Sequence, residues 1–182
     1  MEKIRVGLLF GGKSAEHEVS LQSAKNVLAA LDKDKYEVVL IGIDKEGTWH
    51  WNKESMSLLN ETDPKLIKLN PGQQELAVVP GSEGVRIIPV QGQEDLGRID
   101  VIFPVLHGTF GEDGTVQGLL KLANIPFVGA SVLGSAVGMD KDVMKRLLKS
   151  DGIAVADFLT YTYADRDSID YDYVTGRLGL PV

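Results

Sequence analysis

Two short stretches concentrate the residues of this chain that could do chemistry. The first is Gly11-Gly12-Lys13-Ser14-Ala15-Glu16-His17-Glu18-Val19-Ser20, and the second is His107-Gly108-Thr109-Phe110-Gly111-Glu112-Asp113-Gly114. Each follows an apolar run. In open α/β sheets, ligands sit outside the carboxyl ends of the strands, where loops meet helix amino termini. Glu16 and Glu18 offer carboxylates for binding there, and His107 offers an imidazole. Each residue also has an ordinary structural reading. Gly11-Gly12 can make a tight strand-to-helix turn, Glu16 and Glu18 can complement a helix dipole, His107 can be a satisfied interior histidine, and Glu112-Asp113 can cap a helix. Trp49 and Trp51 suit core and hairpin packing better than a stacking platform.

Two nucleotide formulas fail on physical grounds. Gly7, Gly12, Lys13 and Ser14 fit the spacing of a phosphate loop, but Leu8, Leu9 and Phe10 between them belong to a strand, and a buried strand cannot wrap phosphate with its amides. The dinucleotide fingerprint fails because Gly11 and Gly12 are adjacent and Glu16 stands where a third glycine is needed. Composition narrows the field further. The chain has 182 residues, net charge −7 and no cysteine, which disfavours a nucleic-acid surface and removes disulfides and thiolate metal sites. His17, His50 and His107 lack metal-ligand spacing, so no metal site is expected from them. No long apolar segment suggests a signal peptide or membrane span, and a cytoplasmic protein with no membrane partner is expected.

The surrounding pattern supplies the elements that must position these residues. Ile4 to Phe10 reads as a strand buried on both faces. Leu21, Ala24, Leu28 and Leu31 then mark a helix, with Ser14 as its expected N-cap. Tyr36 to Ile43 is a second buried strand. Asp44-Lys45-Glu46-Gly47 turns the chain into Thr48 to Trp51, a hairpin expected at the sheet edge. Residues 52–98 read as a peripheral excursion with short apolar runs at Leu76 to Val79 and Val85 to Val90. Asp100 to Leu106 is a third buried strand, delivering His107, and Val116, Leu119, Leu120 and Ala123 mark the next helix. Ile125 to Gly129 and Asp157 to Tyr163 read as strands. Helices are expected at Val132 to Val137, at Lys141 to Ser150 behind an Asp140 cap, and at Tyr171 to Leu178. The alternation gives an α/β class with a mostly parallel sheet flanked by helices. The strands starting near Ile4, Tyr36 and Asp100 are expected to be adjacent and parallel.

Taken together, Gly11 to Leu21, the run His107-Gly108-x-x-Gly111-Glu112-Asp113-Gly114-Thr115-x-Gln117-Gly118, Pro126-Phe127-Val128-Gly129 and Met139-Asp140-Lys141 resemble the D-alanine:D-alanine ligase family, in order and spacing. The resemblance implies a Rossmann-like pre-ATP-grasp domain over residues 1–139 and the start of a nucleotide-binding region over 140–182. It implies an ATP-dependent ligase, with magnesium, that activates one D-alanine as an acyl phosphate and joins it to a second for peptidoglycan synthesis. By that resemblance, Glu16 is the catalytic-site carboxylate that contacts the ammonium of the first D-alanine. Val19 packs near the substrate methyl, His107 lines the same subsite, and Lys141 reaches the nucleotide phosphates.

Family members continue through an ATP-grasp domain carrying the magnesium ligands and a second phosphate lysine. The present chain is therefore expected to be an inactive N-terminal fragment with weak nucleotide affinity. A D-alanine:D-lactate ligase is the close alternative, and a dinucleotide-dependent oxidoreductase with Asp44 at a ribose is the distant one. A homodimer, or a purely structural interaction module, also stays open.

Overall fold

The computed structural model describes residues 2–51, 58–59, 63, 67–70, 74–81, 87–91 and 96–180. In chain order the strands are β1 (Ile4–Gly11), β2 (Tyr36–Ile43), β3 (Trp49–Trp51), β4 (Leu58–Leu59), β5 (Lys68–Leu69), β6 (Gln74–Val78), β7 (Ile87–Pro89) and β8 (Val101–Val105). The helices are α1 (His17–Ala30), α2 (Thr115–Leu122), α3 (Val132–Met139), α4 (Lys141–Ser150) and α5 (Tyr171–Leu178), with a 3₁₀ turn over Tyr163–Ser168.

β1 is covered on both faces, and its side chains have apolar partners on each. Leu8 and Phe10 join Leu21 and Ala24 of α1 in one buried cluster, whereas Leu9 joins Ile41, Ile43, Ile102 and the α2 residues Val116 and Leu120 in the other. Alternation of side chains along a strand produces this division, and a continuous apolar run is what it requires. β1 lies between β2 and β8 and runs parallel to both, Val6 standing opposite Val38 and Val101. The three strands expected to be adjacent and parallel are so.

The sheet as a whole is mixed. Its order is β7-β6-β3-β2-β1-β8, and the junctions β2–β3, β3–β6 and β6–β7 are antiparallel. The expectation of a mostly parallel sheet therefore fails. A short turn such as Asp44 to Gly47 can only return the chain antiparallel, and parallel pairing needs a crossover like the one α1 provides. β3 is not an edge strand, since β6 and β7 extend the sheet beyond it. The segment read as a peripheral excursion thus contributes two strands to the main sheet, and β4 and β5 form a separate antiparallel pair. Much of that segment, including Val85, lies outside the described residues.

Other sequence expectations shift locally. Glu16 rather than Ser14 occupies the N-cap position of α1. Ile125 to Gly129 shrinks to a single bridge between Ile102 and Phe127. Asp157 to Tyr163 forms no ladder, because its alternating apolar residues face no strand. Asp140 does cap α4, its carboxylate accepting the Val143 amide at 3.0 Å.

The chain divides into two compact units, Met1–Ala136 and Val137–Val182. The first holds the sheet. In the second, Asp142 accepts two bonds from Arg146 Nε at 2.9 and 2.8 Å, and the Lys145 ammonium lies 5.0 Å from the centre of the Phe158 ring. No helix among the described residues is long and apolar enough to cross a membrane.

Candidate functional site

Two loops leave the carboxyl ends of β1 and β8 side by side, because the strands are neighbours. Ser20, wholly buried on α1, locks them together. Its hydroxyl accepts the Gly11 amide at 2.8 Å and donates to the Val105 carbonyl, so one side chain spans the last residues of both strands. Gly11 has φ +89°, and a Cβ there would collide with the Ile43 carbonyl oxygen, so the turn into the first loop requires glycine.

Within the first loop, Ser14 reaches across instead of capping the helix. Its Oγ donates to the His107 carbonyl at 2.7 Å and accepts the Glu16 amide at 3.1 Å. His17, only 4% exposed, has Nδ1 2.8 Å from the Gly12 carbonyl and acts as loop scaffolding. In the second loop, Glu112 Oε2 accepts the Gly108 amide at 2.7 Å, and Asp113 accepts the amides of Phe110 and Thr115 at 2.9 and 3.0 Å. Burial pushes the Asp113 carboxyl up, but the Phe110 and Thr115 bonds outweigh it and hold the group below the usual carboxylate range. Asp113 thus organises the loop.

Glu16 is exposed, and its carboxylate lies over Gly108: a Cβ on Gly108 would stand 2.5 Å from Glu16 Oε2. The first loop is thereby brought against the residue that follows His107. Among the described residues the Glu16 carboxylate has no ion-pair or hydrogen-bond partner. His107 is half-buried, with Nε2 2.9 Å from Ser23 Oγ and Nδ1 4.0 Å from Glu112 Oε1. Glu16, Val19 and Ser23 follow the three- and four-residue spacing of one helical face, and Val19 is 53% exposed on it. Lys141 begins α4 in the second unit, exposed, with Nζ 3.0 Å from the Gly138 carbonyl.

On the sheet face that carries α2, Gly12, Lys13, Trp49, Leu106, Phe110 and Leu119 help line a cavity of about 180 Å³. The Lys13 ammonium lies 5.4 Å from the centre of the Phe110 ring. Trp49 and Trp51 pack against the core cluster. Asp44, which the oxidoreductase reading would place at a ribose, is occupied within its own turn: it takes His50 Nε2 at 2.8 Å and the Thr48 amide at 2.8 Å. No group of three or more His, Asp or Glu among the described residues could hold a metal ion.

Sequence reasoning singled out Glu16, Val19, His107 and Lys141, and missed Ser14, Ser20 and Ser23 as the residues that hold the first and third of these in place. The available signal was periodicity. Ser20 and Ser23 flank Leu21 and Ala24 on the inner side of α1, and a polar side chain there must find a partner.

The D-ala D-ala ligase N-terminus family profile matches residues 5–130. The D-alanine–D-alanine ligase of Oceanobacillus iheyensis is 57% identical over 180 residues, which is 99% of this chain and 49% of that protein. D-alanine–D-alanine ligase A of Escherichia coli K12 is 55% identical over 182 residues, covering 100% of this chain and 50% of that protein. Among solved structures, the D-alanine–D-alanine ligase of Coxiella burnetii superposes with a TM-score of 0.78 at 33% identity over 97% of this chain and 49% of its own. The VanG D-Ala:D-Ser ligase of Enterococcus faecalis does so with a TM-score of 0.71 at 32% identity over 92% of this chain and 47% of its own. The chain spans about half the length of the curated relatives it matches.

Proposed function

Since the chain belongs to the family of D-alanine–D-alanine ligase N-termini, we propose that it is the substrate-side half of a cytoplasmic ATP-dependent ligase joining two D-alanines for peptidoglycan synthesis. Residues 1–139 form the substrate-side domain, and residues 140–182 open the nucleotide-binding region. The observation that carries this reading is the unpartnered Glu16 carboxylate, set over Gly108 beside His107 at the joined ends of β1 and β8.

In the proposed reaction the carboxylate of the first D-alanine takes the terminal phosphoryl group of ATP, and the amine of the second displaces phosphate to form the peptide bond. Glu16 holds the ammonium of the first D-alanine, keeping that amine from acting as the nucleophile. Val19 lies against the substrate methyl, and His107 lines the same subsite. Lys141, exposed at the start of α4, provides one cation for the nucleotide phosphates. No carboxylate cluster suited to magnesium exists among the described residues, and the bound metal would neutralise phosphate charge with ligands from outside them.

Kinetics of the full-length ligase carrying this half test the proposal. A charge-assisted hydrogen bond is worth about 1.5–3 kcal/mol, so Glu16→Gln should weaken use of the first D-alanine by about one to two powers of ten. The fold should be unchanged. Unaltered KM for both D-alanines, or an effect confined to ATP, would remove Glu16 from the subsite.

A further inference from the structure

The side chain that fixes His107 comes from α1, the helix whose first turn carries Glu16 and Val19. Ser23 Oγ stands 2.9 Å from His107 Nε2. A helical serine commonly turns its hydroxyl back to the carbonyl four residues earlier. Ser23 makes no such bond, and its one side-chain hydrogen-bond partner among the described residues is His107. On the far side of the ring, Nδ1 faces Glu112 Oε1 at 4.0 Å, too long for a hydrogen bond, while Glu112 Oε2 is tied to the Gly108 amide at 2.7 Å. The imidazole is thus set between a hydroxyl, which can donate or accept, and a carboxylate, which can only accept.

That asymmetry selects one arrangement of protons. A neutral imidazole carries a single ring proton. Placed on Nδ1 it faces the acceptor-only carboxylate and leaves Nε2 to accept from the Ser23 hydroxyl; placed on Nε2 it leaves the Nδ1 lone pair facing negative charge. The His107 carbonyl is already held by Ser14 at 2.7 Å. The ring orientation is the remaining freedom, and Ser23 removes it.

We propose that Ser23 is a positioning residue: it fixes the ring plane of His107 and so keeps Nδ1 turned toward Glu112, whose carboxylate selects the Nδ1–H tautomer, and it holds the histidine in register with Glu16 and Val19 on the same helix. The substrate side of this inference rests on the reading of those three residues as the subsite for the first D-alanine. The residues of that subsite then do not move independently, since a shift of α1 carries Glu16, Val19 and the anchor of His107 together.

Long-range ¹H–¹⁵N correlation spectra of the histidine rings, recorded on this chain in mildly alkaline solution, report the tautomer directly. The chain has three histidines, and His17 and His50 serve as internal references. The expected result is a single Nδ1–H form for His107, a mixture of both forms in Ser23→Ala with the His17 and His50 patterns unchanged, and recovery in Ser23→Thr. An Nε2–H form in the unsubstituted chain, or a His107 pattern indifferent to Ser23→Ala, would overturn the proposal. The second arm measures the full-length ligase. Loss of one hydrogen bond should raise KM for the first D-alanine about 2- to 10-fold, with kcat less affected and Ser23→Thr restoring it. A changed tautomer with unchanged KM would overturn the substrate side alone, keeping failure of the D-alanine reading distinct from failure of the Ser23–His107 coupling.

Discussion

Replacing Ser20 by alanine removes one oxygen atom and unties two strands. The hydroxyl is wholly buried, accepts from the Gly11 amide at 2.8 Å and donates to the Val105 carbonyl. In Ser20→Ala both backbone groups stay buried, and a buried polar group left without its partner costs about 1–3 kcal/mol. The carbonyl keeps a second lone pair available, so the sum falls short of twice the upper figure, and we expect about 2–4 kcal/mol. For a protein of this size each kcal/mol lowers Tm by about 2–4 °C, giving a fall of roughly 4–16 °C. Urea and thermal unfolding followed by circular dichroism measure both quantities. A loss below about 0.5 kcal/mol in Ser20→Ala would refute the reasoning, because such a value is ordinary for a surface substitution and would mean that the strand ends are held by other contacts.

Three further outcomes follow from the loops. Gly108→Ala combines a φ of +69° with a Cβ 2.5 Å from Glu16 Oε2. It should lose about 1–3 kcal/mol of stability and, in the full-length protein, reproduce the defect proposed for Glu16→Gln; normal kinetics would show that Glu16 has room to move without consequence. In the β2–β3 turn, burial pushes the Asp44 carboxyl up, but the His50 and Thr48 bonds outweigh it and leave the group below its ordinary value. A carboxyl depressed in the folded state contributes stability that is present above its unfolded pKa of about 3.9 and is lost as pH falls through the lower folded value. An NMR titration of the Thr48 amide should therefore show a midpoint below about 3.9, and a midpoint at or above it would contradict the turn geometry. Glu18 is held down chiefly by its bond to Lys45, 2.6 Å away. Lys45→Ala should return the Glu18 carboxyl toward its ordinary range in the same experiment, and an unchanged titration would show that the pair does not persist in solution.

How far the sequence could be read depended on whether a residue's partner was local. The Ile4 to Gly11 strand declared itself because a strand buried on both faces must be apolar throughout, and Glu16 and His107 stood out because they follow such strands. The same signal misled about direction. Apolar runs say that a strand is buried and not which way its neighbour runs: β3 was legible as the return of a hairpin, but β6 and β7, which extend the antiparallel half beyond it, passed unnoticed in a stretch of mixed polarity. Asp157 to Tyr163 shows the converse, an apolar alternation with no strand to pair with. Ser14 is a sound N-cap by type, yet its hydroxyl is taken by the His107 carbonyl, 93 residues away in the chain. Ser23 was equally hidden, since its partner is 84 residues distant. Candidate binding residues are announced by their loops, whereas for the residues that hold them the local pattern shows at most a polar side chain on an inner face, and the partner is set by a distant contact.

The pairing of β1 with β8 also governs when the site can exist. Arg5 and Asp100, bonded through the Arg5 amide at 2.9 Å, are 95 residues apart, so the Glu16 loop emerges in synthesis long before the strand against which it must close. Closing so long a loop is entropically costly and slow, and helix α1 and the β1–β2 pair can form well before it. Docking of β8 against β1 and closure of the two loops on one another are then a single event. By linkage, a small molecule that binds between the two loops would stabilise the β8 docked state by the free energy of its binding, tying occupancy of the site to completion of the sheet.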